Sequence, residues 1–505
     1  MPFDTPEQPD RIGKIVIVGG GTAGWMSAAL LAHYLRPQNV AITLIESEEI
    51  GTVGVGEGTV PFVRVFNARL GIDERDFMRR TQATFKLGIE FRDWGAPGNV
   101  HFNGFGDYGP PVGGISPHHY WLKLRGLGDA TPFDAYSFPA AAARLARFSP
   151  QRPADGASFC DHAYHFDAGL YARYLRGLAE QHGVVRREGK VAQVQRRGAD
   201  GFLEAVTMED GERIEGDLFV DCSGFRGLLI EQTLQTGYED WSRWLPCNRA
   251  VAVACERTEP LIPATLSTAR GAGWQWRIPL QHRTGNGYVY CNEFVGDEEA
   301  ARTLLAHLDG KPLTEPRLIA FTTGRRRKFW NGNCVAIGLA AGFMEPLEAT
   351  SILLIQTAVA RLIDFFPDKT CDPVMVEEYN ARTTREYERV RDFLILHYCA
   401  TTRGDTPFWD YCRRMEIPPT LSAKIRLFKS RGLVGLGEGE SFTEPGWLAI
   451  FLGQEVLPAR YDPIIDGVDI AAVRRGMEQR RAAIRQAAEA MPLESEFLAR
   501  YCREG

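Results

Sequence analysis

Several things are missing from this chain, and each absence removes a class of function. Its ten cysteines are scattered, with no CxxC pair and no Cys/His ligand spacing. That argues against a structural metal and against a disulfide framework, and it fits a reducing cytoplasm. No apolar run approaches the length of a membrane span. Positive charge is not in excess: the net charge of −6 over 505 residues leaves no footprint for nucleic acid or an anionic bilayer. The one dense basic run, Arg325-Arg326-Arg327-Lys328, reads as a solvated end before a strand. Met1 to Asp10 is polar and acidic, unlike a signal or transit peptide. There is no internal repeat, low-complexity tract or clear linker. Lysine is scarce beside arginine, so each lysine stands out.

What is present is a globular composition, 44% hydrophobic and 24% charged, at a length that suits two to three domains or one large enzyme fold. The first ordered signal is the β-branched run Lys14 to Val18, followed by Gly19-Gly20-Gly21-Thr22-Ala23-Gly24 and a helical pattern, Trp25 to Leu35. A second strand, Val40 to Glu46, closes on an acid. A strand, GxGxxG, a helix and a strand ending in a carboxylate form the dinucleotide fingerprint. The glycines let the backbone approach a pyrophosphate, the helix start favours the anion, and the acid suits a ribose. A second glycine-rich stretch, Gly54 to Pro61, reads as a loop against the cofactor.

Further along, Cys334 to Leu339 reads as a buried strand and Ile352 to Phe366 as a helix. Between them, Gly342-Phe343-Met344-Glu345-Pro346-Leu347-Glu348-Ala349-Thr350-Ser351 forms a strand-to-helix turn. Thr350 or Ser351 is expected to cap the helix. Such a helix start suits an anion, with the carboxylate of Glu348 one turn before it. Lys86 lies in an apolar stretch, Ala83 to Glu90, and alternation puts Trp274 and Trp276 on one strand face in Trp274-Gln275-Trp276-Arg277-Ile278-Pro279. His118-His119-Tyr120-Trp121 has no further ligands at metal spacing and reads as packed aromatics. Asp217 to Gly224 resembles the second cofactor-contacting strand of flavoproteins of the glutathione-reductase type, with Cys222 as core. From about Met375 the pattern is mostly helical, ending in an Arg-rich amphipathic helix, Ile470 to Ala490, read as a solvated outer helix.

The glycine fingerprint, Lys86, the WxWxIP motif and Glu345-Pro346-Leu347-Glu348-x-Thr350 together resemble the flavin-dependent halogenases of the tryptophan-halogenase family. The resemblance runs from about Lys14 to Pro463, and WxWxIP is its specific part. It implies an α/β fold: an FAD-binding, glutathione-reductase-type Rossmann module with antiparallel sheet insertions, residues 1–375. A mainly helical, substrate-covering module, residues 376–505, completes it.

The resemblance also implies that reduced FAD binds at Gly19, Gly21, Thr22, Ala23, Gly24, Glu46 and Gly338. Its reaction with oxygen gives a flavin hydroperoxide, and chloride or bromide at Thr350 and Ser351 is oxidised to hypohalous acid. Lys86 forms a haloamine from that acid or directs it by hydrogen bonding, and Glu348 assists transfer or takes the ring proton. Trp274, Trp276, Ile278 and Pro279 partition flavin from substrate. A separate flavin reductase is the implied partner, no metal is implied, and a homodimer is compatible with the sequence.

Where tryptophan halogenases carry a glycine, this chain has Ser351. Their Tyr-Tyr pair aligns with Gly446-Trp447. Their His-Pro-Phe aligns with Asn103-Gly104-Phe105, unless a shift makes His101 the equivalent. These departures suit an indole, pyrrole or phenol without an amino-acid end, in a pocket of Phe105 and Trp447. An aromatic hydroxylase of the same fold and a flavin-binding protein without turnover are the rival readings.

Overall fold

A computed structural model of the chain describes residues 10–49, 56–150 and 160–502. The strand Lys14–Val18 is β-branched and buried on both faces, and such a strand belongs inside a parallel sheet. It pairs in parallel with Ala41–Glu46 on one side and Leu218–Asp221 on the other. Val185–Glu188 and Cys334–Ala336 extend the sheet in parallel, and the short antiparallel strand Trp330–Asn331 ends it. Helix Thr22–Leu35 packs against helices Ala168–Gln181 and Thr350–Asp364. Its Ala28, Ala29, Leu30 and Leu31 are fully buried. Each buried leucine contributes about 1.5–3 kcal/mol.

A second, seven-stranded sheet runs in the order Arg317–Ala320, Arg249–Cys255, Thr284–Tyr290, Gly273–Pro279, Thr265–Arg270, Gly88–Arg92, Val100–Gly104. All its pairings are antiparallel except that between Thr265–Arg270 and Gly88–Arg92. Gly287 faces Trp276 across this sheet, and a Cβ there would lie 2.0 Å from the indole. Only glycine lets that ring lie across the neighbouring strand. A small antiparallel sheet of Gly56–Gly58, Ala163–Asp167 and Thr84–Lys86 sits beside it. Among the described residues no strand follows Gly342–Phe343, and the chain from Pro373 onward is helical with irregular connections.

Some expectations change. The strand expected over Cys334 to Leu339 is shorter, Cys334–Ala336, and a 3-10 turn, Gly338–Ala340, follows it. Arg325 and Arg326 are not solvated: both are buried, paired with Glu239 at 2.7 Å and Glu231 at 2.6 Å, whereas Arg327 and Lys328 are exposed as expected. Helix Ile470–Glu489 is mostly exposed as expected. It is not the last element, because Glu494–Tyr501 forms a further helix. The N-terminal residues before Asp10, and Gly54 and Val55 of the second glycine-rich stretch, lie outside the described residues. The described remainder of that stretch begins with the strand Gly56–Gly58 and is not all loop.

Candidate active site

The fingerprint lies at the mouth of the parallel sheet. Helix Thr22–Leu35 starts from Gly21 with no side-chain cap, leaving its first N–H groups free. Gly19 has φ +114, and a Cβ there would lie 2.2 Å from the carbonyl oxygen of Cys222; one on Gly24 would lie 1.8 Å from the carbonyl oxygen of Gly19. Gly19, Gly21, Thr22, Ala23, Glu46 and Gly338 line a cavity of about 1330 Å³, and Gly24 packs against the carbonyl of Gly19 behind them. Glu46 stands at its wall and is already engaged, accepting from Trp25 Nε1 at 3.3 Å and pairing with Arg186. Cys222 lines the cavity as a buried thiol, with its pKa pushed up by burial. A cradle of free N–H groups, glycines that no Cβ could replace and a carboxylate at the end of the second strand fits a dinucleotide such as FAD.

The same cavity is also lined by Gly58, Thr265, Trp276, Ile278, Ala349 and Ser351. Gly58 marks where it meets Lys86: a Cβ on Gly58 would lie 3.3 Å from Lys86 Nζ and 3.6 Å from Ala349 Cβ. Lys86 ends the short strand Thr84–Lys86 and is fully buried. Its Nζ donates to the carbonyl of Thr59 at 2.9 Å and stands 5.3 Å from the Phe105 ring. Burial lowers its pKa from 10.5 to about 7, and the charge of Glu348 opposes that shift. Glu57, on the strand Gly56–Gly58, also lines the cavity, and burial raises its carboxyl to about 7.

Glu348 is held from two sides. The Asn103 amide donates to both its oxygens at 3.0 and 3.2 Å, and His397 Nε2 lies 2.8 Å from Oε1. His397 Nδ1 lies 2.8 Å from the carbonyl oxygen of Phe393. A carbonyl only accepts, so Nδ1 carries a hydrogen. The short Nε2–Oε1 contact is the second hold on the carboxylate. Asn103 therefore bonds the acid. His101 is buried and stacked on Phe91 at 5.1 Å.

The turn does not cap as expected. Ala349, at φ 57, occupies the cap position, Thr350 is the first helical residue, and neither hydroxyl caps the helix. Ser351 reaches the cavity, whereas the Thr350 hydroxyl is buried beside it without a hydrogen-bond partner. Trp274 and Trp276 share a face, with ring centroids 6.2 Å apart; Trp276 and Ile278 line the cavity. Trp274 turns inward to Glu345, and Pro279 offers its carbonyl to Thr84 Oγ1 at 2.7 Å. Trp447 is fully buried, with its ring 4.9 Å from Phe393 and Lys424 Nζ 4.8 Å from its own centroid. His118 to Trp121 pack in a helix as expected. Among the described residues no cluster of His, Cys, Asp or Glu could hold a metal. No helix there is long and apolar enough to cross a membrane.

Sequence reasoning missed His397 and Asn103 as partners of Glu348, and it missed Gly58 as the meeting point. The only signal was a histidine in an aromatic-dense helix, which names no partner.

A dinucleotide cradle whose wall at Gly58 adjoins a buried lysine, with a clamped carboxylate nearby, fits a flavin-dependent enzyme. The comparisons give the family. The tryptophan halogenase family model matches residues 14–470. Tryptophan 6-halogenase SttH from Streptomyces toxytricini is 34% identical over 96% of this chain and 98% of its own length. Among solved structures, the flavin-dependent halogenase BrvH from Brevundimonas sp. BAL3 superposes with a TM-score of 0.94 at 48% identity, covering 97% of this chain and 99% of that one. Xcc4156, a flavin-dependent halogenase from Xanthomonas campestris, gives 0.94 at 45% identity, with the same coverage. The chain belongs to the tryptophan halogenase family and is an enzyme of the flavin-dependent halogenase type.

Proposed function

We propose that the protein halogenates an electron-rich aromatic small molecule with chloride or bromide, using reduced FAD and oxygen. The observation that carries this reading is the junction at Gly58, where the dinucleotide cavity comes within one missing methyl group of Lys86 Nζ. Reduced flavin, when bound, supplies the electrons with which oxygen and a halide yield hypohalous acid. Every other step belongs to the protein's own residues.

Gly19, Gly21, Thr22, Ala23 and Gly24 cradle the pyrophosphate, with Glu46 and Gly338 on the cavity wall. Thr350 and Ser351 hold the halide: one hydroxyl is buried and unpartnered, the other faces the cavity, and both stand at a helix start. Trp276 and Ile278, backed by Trp274 and Pro279, separate the cavity from the substrate side. With its pKa near 7, Lys86 exists in both protonation states at neutral pH. As an amine it attacks the halogen of hypohalous acid, forming an N–halogen bond as water leaves. As an ammonium it hydrogen-bonds the acid and aims it. Glu348, oriented by Asn103 and His397, takes the proton that the aromatic ring loses.

We assign Phe105, 5.3 Å from Lys86 Nζ, and Trp447, packed on Phe393, to the substrate side, without the pair that holds an amino-acid end. An indole, pyrrole or phenol fits this reading better than free tryptophan. We also read the parallel sheet, with its antiparallel insertion Val191–Arg196, Leu203–Met208 and Arg213–Glu215, as an FAD module of the glutathione-reductase type. Residues 1–375 then form the flavin module and 376–505 the covering one. A separate reductase supplies the reduced flavin, and the cytoplasm is the expected compartment.

The test is incubation with FAD, a flavin reductase, NADH, oxygen and each halide over a panel of indoles, pyrroles and phenols, read by mass spectrometry. Halogenated product is expected. Hydroxylated product without halogen would favour the aromatic hydroxylase, and no product at all the non-catalytic flavoprotein. Lys86→Ala is expected to lose halogenated product while oxidation of reduced flavin continues; unchanged product formation would sink the role of the lysine.

A further inference from the structure

Trp276 lines the flavin cavity, and from it a line of oxidisable rings runs inward. Its centroid lies 6.2 Å from that of Trp274, Trp274 lies 6.2 Å from Trp94, and Trp94 lies 5.3 Å from Tyr398. Trp409, 5.5 Å from Trp94 and 5.9 Å from Tyr398, gives a parallel branch. The four rings from Trp276 to Tyr398 are 0 to 6% exposed. Aromatic packing at these distances is ordinary in a core. The end of this line is not.

Glu345 is fully buried, and among the described residues it has no cationic partner. Its Oε2 accepts from the Tyr398 hydroxyl and from Trp274 Nε1 at 2.8 Å, while Oε1 has no partner. Burying a carboxyl with so little compensation is costly, and halogenation at Lys86 and Glu348 makes no use of it. A phenol in a dry interior gives up an electron readily only when its proton leaves at the same time. A carboxylate already hydrogen-bonded to the phenol is the acceptor such a step needs. A tryptophan radical cation is a weaker acid than an oxidised phenol. Trp276, whose Nε1 has no partner, therefore passes its electron deficit onward.

We propose that Trp276, Trp274, Trp94 and Tyr398 form an electron path into the flavin cavity, with Tyr398 as terminal donor and Glu345 as its proton acceptor. The proposal rests on the reading that FAD occupies that cavity. The oxidant is oxidised flavin raised to its excited state by light, and it gains one electron from Trp276. Trp276 is refilled from Trp274, Trp274 from Trp94 and Trp94 from Tyr398. Tyr398 ends as a neutral tyrosyl radical, its O–H bond broken and the proton on Glu345 Oε2. The activity is a one-electron, light-driven reduction of the bound cofactor that needs no reductase and no added donor.

Burial raises the Glu345 carboxyl to about 7. The groups facing it are Tyr398, Trp274 and the thiols of Cys247, Cys291 and Cys412, all neutral. Its accepting form therefore gains as pH rises through neutrality, and the tyrosyl yield rises with it.

The experiment uses the full chain loaded with oxidised FAD, without oxygen or added donor. It is flashed with blue light and followed by transient absorption and electron paramagnetic resonance. A tyrosyl signal is expected in the parent. Tyr398→Phe should abolish it, and Trp94→Phe should lose it while a tryptophan radical persists. Glu345→Gln keeps a hydrogen-bond acceptor but cannot take the proton, and should also lose it. FAD retention, read from its absorbance, is required of each variant. If Glu345→Gln fails that requirement, the two phenylalanine variants decide. An undiminished tyrosyl signal in a flavin-loaded variant overturns the path. Bound FAD without a tyrosyl signal in the parent overturns it too and leaves the flavin site standing, whereas failure to bind FAD overturns both.

Discussion

Lys86 shows how a single residue can be conspicuous in sequence while its chemistry is hidden. Its apolar neighbours and the scarcity of lysine drew attention to it. Its partner, the carbonyl of Thr59, and its low pKa follow from tertiary burial. The shift runs from 10.5 in the unfolded chain to about 7 in the fold, so between those values the unfolded state binds more protons. This group's contribution to stability therefore improves as pH rises through that window, and its destabilising effect is complete below about 7. Lys86→Met should be more stable than the parent near neutrality, by on the order of a few kcal/mol, with the advantage shrinking toward alkaline pH. Thermal melts across pH check this, and a gain that grows with pH would contradict it. Glu348 was equally visible, whereas its two clamps were not. Asn103 and His397 lie 245 and 49 positions away, and no local pattern links them.

The strand Thr84–Lys86 has only three residues and owes its place to its neighbours. It pairs with Ala163–Asp167, and the N–H of Phe85 donates to Glu494 Oε1 at 2.7 Å. Phe85 itself stacks on Phe148 at 3.8 Å and touches Phe497 of the final helix. That helix lies beyond the residues the family model matches, and it went unread because an eight-residue helix carries little periodic signal. Glu494→Ala would orphan the buried N–H at about 1–3 kcal/mol. It should lower product formation while FAD is retained, and Glu494→Gln should restore it, as melts and product assays would show. The glycine fingerprint is the opposite case, legible to the residue because its geometry is local. Gly24→Ala would press a methyl group into the carbonyl of Gly19, and loss of FAD absorbance after gel filtration is the expected result. The turn before helix Thr350–Asp364 was placed correctly but capped differently. Ala349 takes the left-handed conformation, which leaves the Thr350 hydroxyl unused by the backbone.

Across the whole molecule, the helices from Pro373 onward pack into the rest of the chain. Tyr387 lines the large cavity at the fingerprint, Tyr379 packs on Trp330, and His397 and Tyr398 hold the two glutamates of the central turn. A fragment of residues 1–375 should therefore fail to yield a soluble, FAD-binding species, measured by gel filtration and flavin absorbance. A stable flavin-loaded fragment would show instead that the two modules fold independently.

The sequence by itself determined the fingerprint and its parallel sheet, the paired tryptophans, the lysine and the turn bearing Glu348. The fingerprint, the tryptophans and the turn are written in periods of two or 3.6 or in spacings of a few residues, whereas the lysine is singled out by the family resemblance. Tertiary structure alone decided that Gly58 joins the cavity to Lys86, that Asn103 and His397 orient Glu348, and that Arg325 and Arg326 lie inside. It also decided that Glu345 ends a line of rings. The reason is physical: a hydrogen bond or a desolvated charge depends on which distant segments the core brings together, and that choice leaves no periodic trace along the chain.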